Sequence, residues 1–526
     1  MHRRSFLTAA GAASVTAVIA RPGWSQATAG RTLKFVPQAN LSILDPVFTT
    51  AAVSITHGYC VFDTLYGVDD QLKPQPQMAD RASVSDDGLE WLITLREGLL
   101  WHDGTAVTAE DCSASLDRWS LRDTFGQSLR AVTEAFEAAD DATIRIRLNK
   151  PFPRLLEAIG KPHSSPAMMM PKRLAETSPT EPVTEMIGSG PFRFVAEEYI
   201  SGSRVVYEKF AGYKPRSEAP SWTAGGKVVN VERLEWHIIP DAATATTALM
   251  NGEVDWVEVA LPDLLPLLET QPALRIQHQD PSGNQAFIRF NCLIPPFDNV
   301  DLRRAVMMAV EQQPYMQAIT GGVPDSWMAG KNAFPATMPG VDDSFDDMMP
   351  GDMEAARAAV AAAGYDGTPV VILHPADHAN IAPLGLITAS LLEKIGFNVQ
   401  LETMDWGTLT HRRQSKAPVD SGGWNIFHTY WSSASIATPP ENSNIRGNGE
   451  EGWYGWYHDP TIEAAVDQWL SVEHPSEQAA IFRNIQKMAM EGAPAVPLGI
   501  FFVNSTYDKK LSGIIPGSAS YFWNVV

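Results

Sequence analysis

Cysteine is almost missing from this chain of 526 residues, which has only Cys60, Cys112 and Cys292. Three thiols cannot build a disulfide framework, and an odd number leaves at least one unpaired. None stands in a basic cluster that would activate it. Basic charge is also short, with 40 Lys and Arg against 61 Asp and Glu, a formal balance of −21. That excludes nucleic acid, whose phosphates require a basic face, and disfavours anionic membrane surfaces. Beyond the first 27 residues no apolar run reaches the roughly 18 residues of a membrane span. Hydrolase signatures are missing too. There is no G-x-S-x-G and no H-E-x-x-H, and the "GSG" at 188–190 has no strand-to-helix elbow.

What is present begins with "MHRRSFLTAAGAASVTAVIARPGWSQA". A basic start, an apolar stretch from Phe6 to Ala20 and the small-x-small ending Ser25-Gln26-Ala27 read as an export leader, residues 1–27. Arg3 and Arg4 followed by Ser5-Phe6-Leu7 resemble the twin-arginine type. Removing the leader leaves 37 basic and 61 acidic residues, a formal charge of −24.

The length exceeds the roughly 250–300 residues at which one hydrophobic core stops growing, so at least two lobes are expected. Period-two alternation predicts half-buried strands at "EWLITLRE" (Trp91, Ile93, Leu95), "TIRIRLN" (Ile144, Ile146, Leu148) and "RLEWHII" (Leu234, Trp236, Ile238). Thr108 with Asp111 forms a capping box, Asp352 opens a helix that Gly364 closes, and Asp301 is placed to cap the helix bearing Arg303 and Arg304. Two stretches run helix, glycine, strand, through Gly252 and through Gly396. Such units imply parallel strands with helical crossovers, so the class is mixed α/β.

Residues 446–456, "RGNGEEGWYGW", match G-x-G-x-x-G through Gly447, Gly449 and Gly452. No apolar strand precedes them, Glu450 and Glu451 would repel a phosphate, and no helix of small residues follows. The stretch reads as a loop carrying rings. Of 15 tryptophans, Trp424, Trp431, Trp453 and Trp456 fall close together, joined by Tyr430, Tyr454 and Tyr457. Rings on a glycine-punctuated loop suit stacking on a ligand, and packing within a lobe is the competing reading, an even one for Trp424.

"LREGLLWHDGTAVTAEDCSASLDR" (95–118) resembles a hallmark segment of the extracellular solute-binding proteins of ABC importers, peptide/nickel type. "LDP" (44–46), "VFDTLYG" (61–67), "IGSGPFRF" (187–194), "ALMNGEVD" (248–255), "FNCLIPPFDNVDLRRAVMMAV" (290–310), "AAAGYDG" (361–367) and "LLEKIGFNVQL" (391–401) follow in order. The resemblance implies a two-lobed α/β periplasmic binding protein fold of the large, three-subdomain type, with a hinge between lobes. One lobe would comprise 28–70, 186–286 and 500–526, with an inserted subdomain at 71–185, and the second lobe would be 287–499. It further implies a periplasmic binder, not an enzyme, that takes a small solute or short peptide. Its partners would be permease subunits in the inner membrane, with their ATPases, and it would need no cofactor.

Dipeptide and oligopeptide binders of this type carry an aspartate in a W-x-x-D-like segment that pairs with the α-amine. Here "YWSSASIATPP" keeps Trp431 but has Ala434 near the acid's place, and no carboxylate lies between Asp420 and Glu441. Either another acid, such as Asp405, replaces it or the ligand lacks a free amine. The candidate site is Trp424, Trp431, Arg446, Trp453, Tyr454 and Trp456, faced by Asn40 and Tyr59 from the other lobe. Arg446 would meet a ligand carboxylate, unless it is simply solvated. His374 and His378 share i, i+4 spacing, but Pro375 argues against a helix that would let them grip a metal. A chelated-nickel or other non-peptide binder, a ligand-sensing receptor and a secreted hydrolase remain the alternatives.

Overall fold

The computed structural model describes residues 31–472 and 474–526, so the leader expected at 1–27 lies outside the described residues. Two large sheets organise the chain. The first has seven strands in the spatial order Phe192–Phe194, Arg204–Lys209, Arg233–His237, Thr32–Val36, Trp256–Val257, Asn504–Asp508 and Leu274–His278. The second has six, in the order Trp327–Met328, Ala495–Phe501, Asn284–Phe290, Ile426–Ser432, Val370–Pro375 and Val399–Met404. A four-stranded antiparallel sheet, Ala79–Val84, Glu90–Leu95, Thr143–Leu148 and Thr133–Ala138, forms a third unit.

Local sequence explains these elements. The three alternating stretches are strands, and Trp91, Ile93, Leu95, Ile144, Ile146, Leu234 and Trp236 are buried while their neighbours face outward. Helix Ala382–Ile395 stops at Gly396, whose φ of 105° only glycine adopts easily, and strand Val399–Met404 then runs parallel to Val370–Pro375. Helix Ala242–Met250 and Gly252 likewise lead into Trp256–Val257, parallel to Thr32–Val36. Thr108 and Asp111 form the expected capping box. Asn299, not Asp301, caps helix Val300–Ala309. The Asn299 side chain sits where it accepts the Asp301 N–H, leaving Asp301 in the first turn.

The hallmark segments prove to be fold-makers. Asp45 of "LDP" is fully buried and pairs with the buried Arg118, 2.7 Å away, from the segment 95–118. Asp63 of "VFDTLYG" pairs with the buried Lys227 at 2.7 Å. The backbone at Gly190 donates to the Val61 carbonyl at 2.9 Å, and a Cβ there would come within 2.6 Å of the Cys60 oxygen. That close approach is why small residues stand at 188–190.

The chain crosses from the first sheet to the second through residues 279–283 and returns through Phe502 and Val503. Strands on either side of each crossing pair antiparallel, and Gln279 N–H donates to the Val503 carbonyl at 3.0 Å. The two crossings thus lie side by side, tied by that one backbone bond, while the first turns at Gly283, whose N–H donates to the Asp280 carbonyl at 3.2 Å.

Candidate functional site

Between the two sheets, beside the crossing strands, lies a narrow cavity of about 50 Å³. It is smaller than the roughly 300–1,000 Å³ typical of small-molecule sites. From the first half come Gln38 and Ala39, just past strand Thr32–Val36, and Thr50 to Val53, leading into helix Ala52–Val61. The crossings contribute Gln279, Asp280 and Val503. From the second half come Thr429, Tyr430 and Ser432 on strand Ile426–Ser432, His378 and Ile381, and Trp406 and Arg413 at the ends of a short helix. His163 reaches in from the third unit. Burial holds the His163 and His378 imidazoles down to about 4, so both are neutral near pH 7.

The halves are drawn together around this space. Tyr430 donates its hydroxyl to the Gln38 side chain. Trp453 Nε1 donates to Thr50 Oγ1 at 3.2 Å. Thr50 borders the inner cavity and also an outer cleft lined by Arg122, Lys416, Trp453, Tyr454 and Trp456.

Arg413 is the exceptional group. Helix Trp406–Arg412 is capped by Asp405, whose Oδ1 accepts the Thr408 N–H at 2.9 Å, so Asp405 is engaged away from the cavity. Consecutive helical residues point about 100° apart. Arg412 therefore turns outward to pair with Glu402, while Arg413 turns inward and is 1 % exposed. Among the described residues five arginines are buried. Arg118 and Arg446 pair with Asp45 and Glu463, and Arg289 and Arg303 donate to backbone carbonyls. Among the described residues Arg413 has no carboxylate partner; its one side-chain hydrogen bond is a long one, Nη2 to Thr49 Oγ1 at 3.5 Å, and its Nε has none. Rings hold it in place: Tyr454 lies 4.9 Å from the guanidinium carbon, and Trp406 and Phe427 each 5.7 Å. Such contacts return about 0.5–2 kcal/mol each, against a cost of several kcal/mol for burying an uncompensated charge. Desolvation also pulls its pKa below the ordinary arginine value. The site thus offers a desolvated cation at the edge of the cavity.

The expected site residues are distributed differently. Tyr59 is buried in the first half, its hydroxyl donating to the Pro162 carbonyl at 2.5 Å and Lys227 over its ring. Asn40 accepts the Gly202 N–H at 3.0 Å. Trp424 is fully buried against Phe427 and Trp456. Trp431 donates to Asn444 Oδ1 at 3.3 Å, with its ring 5.1 Å from that of Trp453. Arg446 pairs with Glu463 at 2.6 Å and also donates to the Thr124 carbonyl of the third unit. Trp453, Tyr454 and Trp456 line the outer cleft, with only their edges exposed. None of the eight lines the inner cavity. His374 lies within strand Val370–Pro375 and His378 in the loop after it, so they share no helix. The described residues hold no group of three or more His, Cys, Asp or Glu placed to hold a metal ion.

Comparison with known proteins decides the family. The profile described as "Bacterial extracellular solute-binding proteins, family 5 Middle" matches residues 73–453. The chain belongs to that family. This solute-binding protein is 38 % identical over 493 residues to the probable peptide ABC transporter periplasmic-binding protein y4tO of Sinorhizobium fredii, with 92 % of each chain covered. Among solved structures it resembles the binding protein AgaA of A. tumefaciens R10, in complex with agropinic acid, at 21 % identity. The TM-score is 0.79, with 94 % of this chain and 98 % of that one covered. It also resembles the DppA protein of Helicobacter pylori, in complex with the peptide STSA, at 21 % identity. There the TM-score is 0.78, with 94 % and 97 % covered. These likenesses establish the two-lobed, mixed α/β periplasmic binding protein fold. Family membership makes this a binder, not an enzyme.

Proposed function

We propose that this protein is the periplasmic substrate-binding component of an ABC importer. It captures a small carboxylate-bearing solute, a short peptide or peptide-like compound, and delivers it to the membrane permease. The observation that carries the substrate class is Arg413, a buried guanidinium without a counter-charge that borders the cavity between the two halves. A carboxylate entering there gains a charge-assisted, geometrically matched partner and relieves the desolvated cation. The peptide named for the Sinorhizobium relative and the agropinic acid and peptide held by the two structural neighbours favour the same chemistry.

In this reading one lobe is built on the seven-stranded sheet with the third unit appended, and the other on the six-stranded sheet. The boundaries fall at the crossings, 279–283 and 502–503, a few residues from those expected at 286 and 500. The inner cavity takes the charged part of the solute, and the ring-lined outer cleft receives whatever extends past Thr50. A ligand touching both faces favours closure by its extra affinity for the closed state, and the closed form is what the permease recognises.

Mass spectrometry of compounds released from protein purified out of its native periplasm tests the substrate class. A carboxylate-bearing molecule is expected, and a purely cationic or neutral one refutes the reading. Export by the twin-arginine route is tested separately. Replacing Arg3 and Arg4 together with lysine is expected to leave precursor in the cytoplasm, seen by fractionation and immunoblot. Unchanged secretion assigns export to the general pathway.

A further inference from the structure

Away from the cavity, the third unit meets the second half along a seam. Its helix Thr124–Arg130 faces the loop 438–451. Thr124 donates its hydroxyl to the Pro440 carbonyl at 3.0 Å, and Gln127 Nε2 donates to the Glu451 carbonyl at 2.8 Å. In return Arg446 donates to the Thr124 carbonyl at 2.6 Å and to Ser128 Oγ at 3.1 Å. Arg154 of the third unit lies 4.5 Å from the ring of Trp469, on helix Pro460–Ser471. None of these residues borders the cavity.

Most charges at the seam are answered within their own half. Asp123, which caps the helix, pairs with Lys161 at 2.5 Å, Glu157 with Arg154 at 2.6 Å and Glu463 with Arg446 at 2.6 Å. Glu441 is not. Among the described residues its carboxyl makes no ion pair and accepts only the Thr438 hydroxyl, at 2.6 Å. The charged groups facing it are Asp123, Glu157 on helix Leu155–Gly160, and Lys161 just after that helix. His163, beside Lys161, is neutral, and Asp467 faces Arg446, Glu463 and Lys150 instead. An ionised Glu441 therefore stands desolvated next to two acids, with the one nearby cation already engaged. A neutral Glu441 escapes that cost.

We infer that closure of the third unit onto the second half is coupled to a proton on Glu441: the seam holds while that carboxyl is neutral and loosens once it ionises. Burial, aided by Glu157 and Asp123 and opposed by the Thr438 hydroxyl and Lys161, pushes the Glu441 carboxyl up to about 7. Swung clear of the third unit, the same carboxyl regains water and its ordinary value of 4.5. The closed form then binds the proton more tightly than the open one. Its advantage is fully present below about pH 4.5 and is lost as the pH rises to about 7. A binder with this seam encloses its solute more firmly in an acidic medium. The inference rests on the hinged closure proposed above and is independent of which solute is carried.

Small-angle scattering of the mature protein from about pH 5 to about pH 8 tests it. The ratio of closed to open form is expected to fall at least tenfold across that range, seen as a growing radius of gyration. In Glu441→Gln, which keeps the neutral shape, the compact radius should persist throughout. In Glu157→Gln, which removes one opposing charge, the fall should shrink, and this variant serves if the first folds poorly. A radius that stays constant in the unaltered protein overturns the inference. Equal expansion in Glu441→Gln also overturns it, by assigning the response to another group. Solute capture is read separately from the compounds that the purified protein releases, so either failure leaves the importer reading standing.

Discussion

Arg413→Gln is expected to weaken binding of a carboxylate solute at least 100-fold, while the melting temperature of the empty protein stays level or rises. A factor of 100 corresponds to about 2.7 kcal/mol, within the 2–5 kcal/mol that truncating one member of a buried charge pair costs. The stability half follows from the same geometry. Without ligand the guanidinium is 1 % exposed, has no acid partner and is compensated mainly by rings. Removing an unpaired buried charge relieves desolvation, whereas removing a paired one exposes its partner. Calorimetric titration and a thermal melt read the two halves. A variant that melts lower yet binds equally well makes Arg413 a structural residue and ends the proposal for it.

Asp45→Ala is expected to act in the opposite sense, lowering unfolding free energy by about 3–5 kcal/mol, because it strands a buried charge. Asp45 Oδ2 accepts Arg118 Nη2 at 2.7 Å and the Val183 N–H at 2.9 Å, while Oδ1 accepts the Val47 N–H at 2.9 Å. These partners, and the Phe48 N–H that Oδ1 accepts at 3.2 Å, lose this acceptor together. Denaturant unfolding measures the loss. In the double variant Asp45→Ala/Arg118→Met the penalty should fall well below the sum of the single ones, since no charge is then left alone. Additive losses would show that the pair is not coupled.

How far the sequence was legible depended on whether a contact is local. Caps, alternating strands and glycine stops are decided within a few residues, and those at Thr108, Trp91 to Leu95 and Gly396 appear where patterning puts them. Family membership was legible because many short segments match in order. The cavity was not. Arg413 sits in "HRRQSK", which reads as a solvated basic stretch, and only the helical rotation between Arg412 and Arg413 sends one out and the other in. Asp280, in "QDPSGN", reads as a turn former, which it also is. The aromatic loop looked exposed because its flanks are glycine and glutamate. Arg289 draws it inward, binding the Tyr454 and Asn444 carbonyls at 2.8 and 2.7 Å with Trp453 stacked 5.1 Å above it. Gly455, with φ of 103°, lets the chain fold back over that arginine. Arg446 finds its acid 17 residues later, on helix Pro460–Ser471, a distance at which a lone basic residue gives no hint of its partner.

The paired crossings between the sheets limit how the molecule can yawn. The two crossings are tied to each other at Gln279 and Val503, so a bend at one is shared by the other, like a book on its spine. Asp280 stands on that spine, where the lever arm is shortest and the mouth's movement displaces it least.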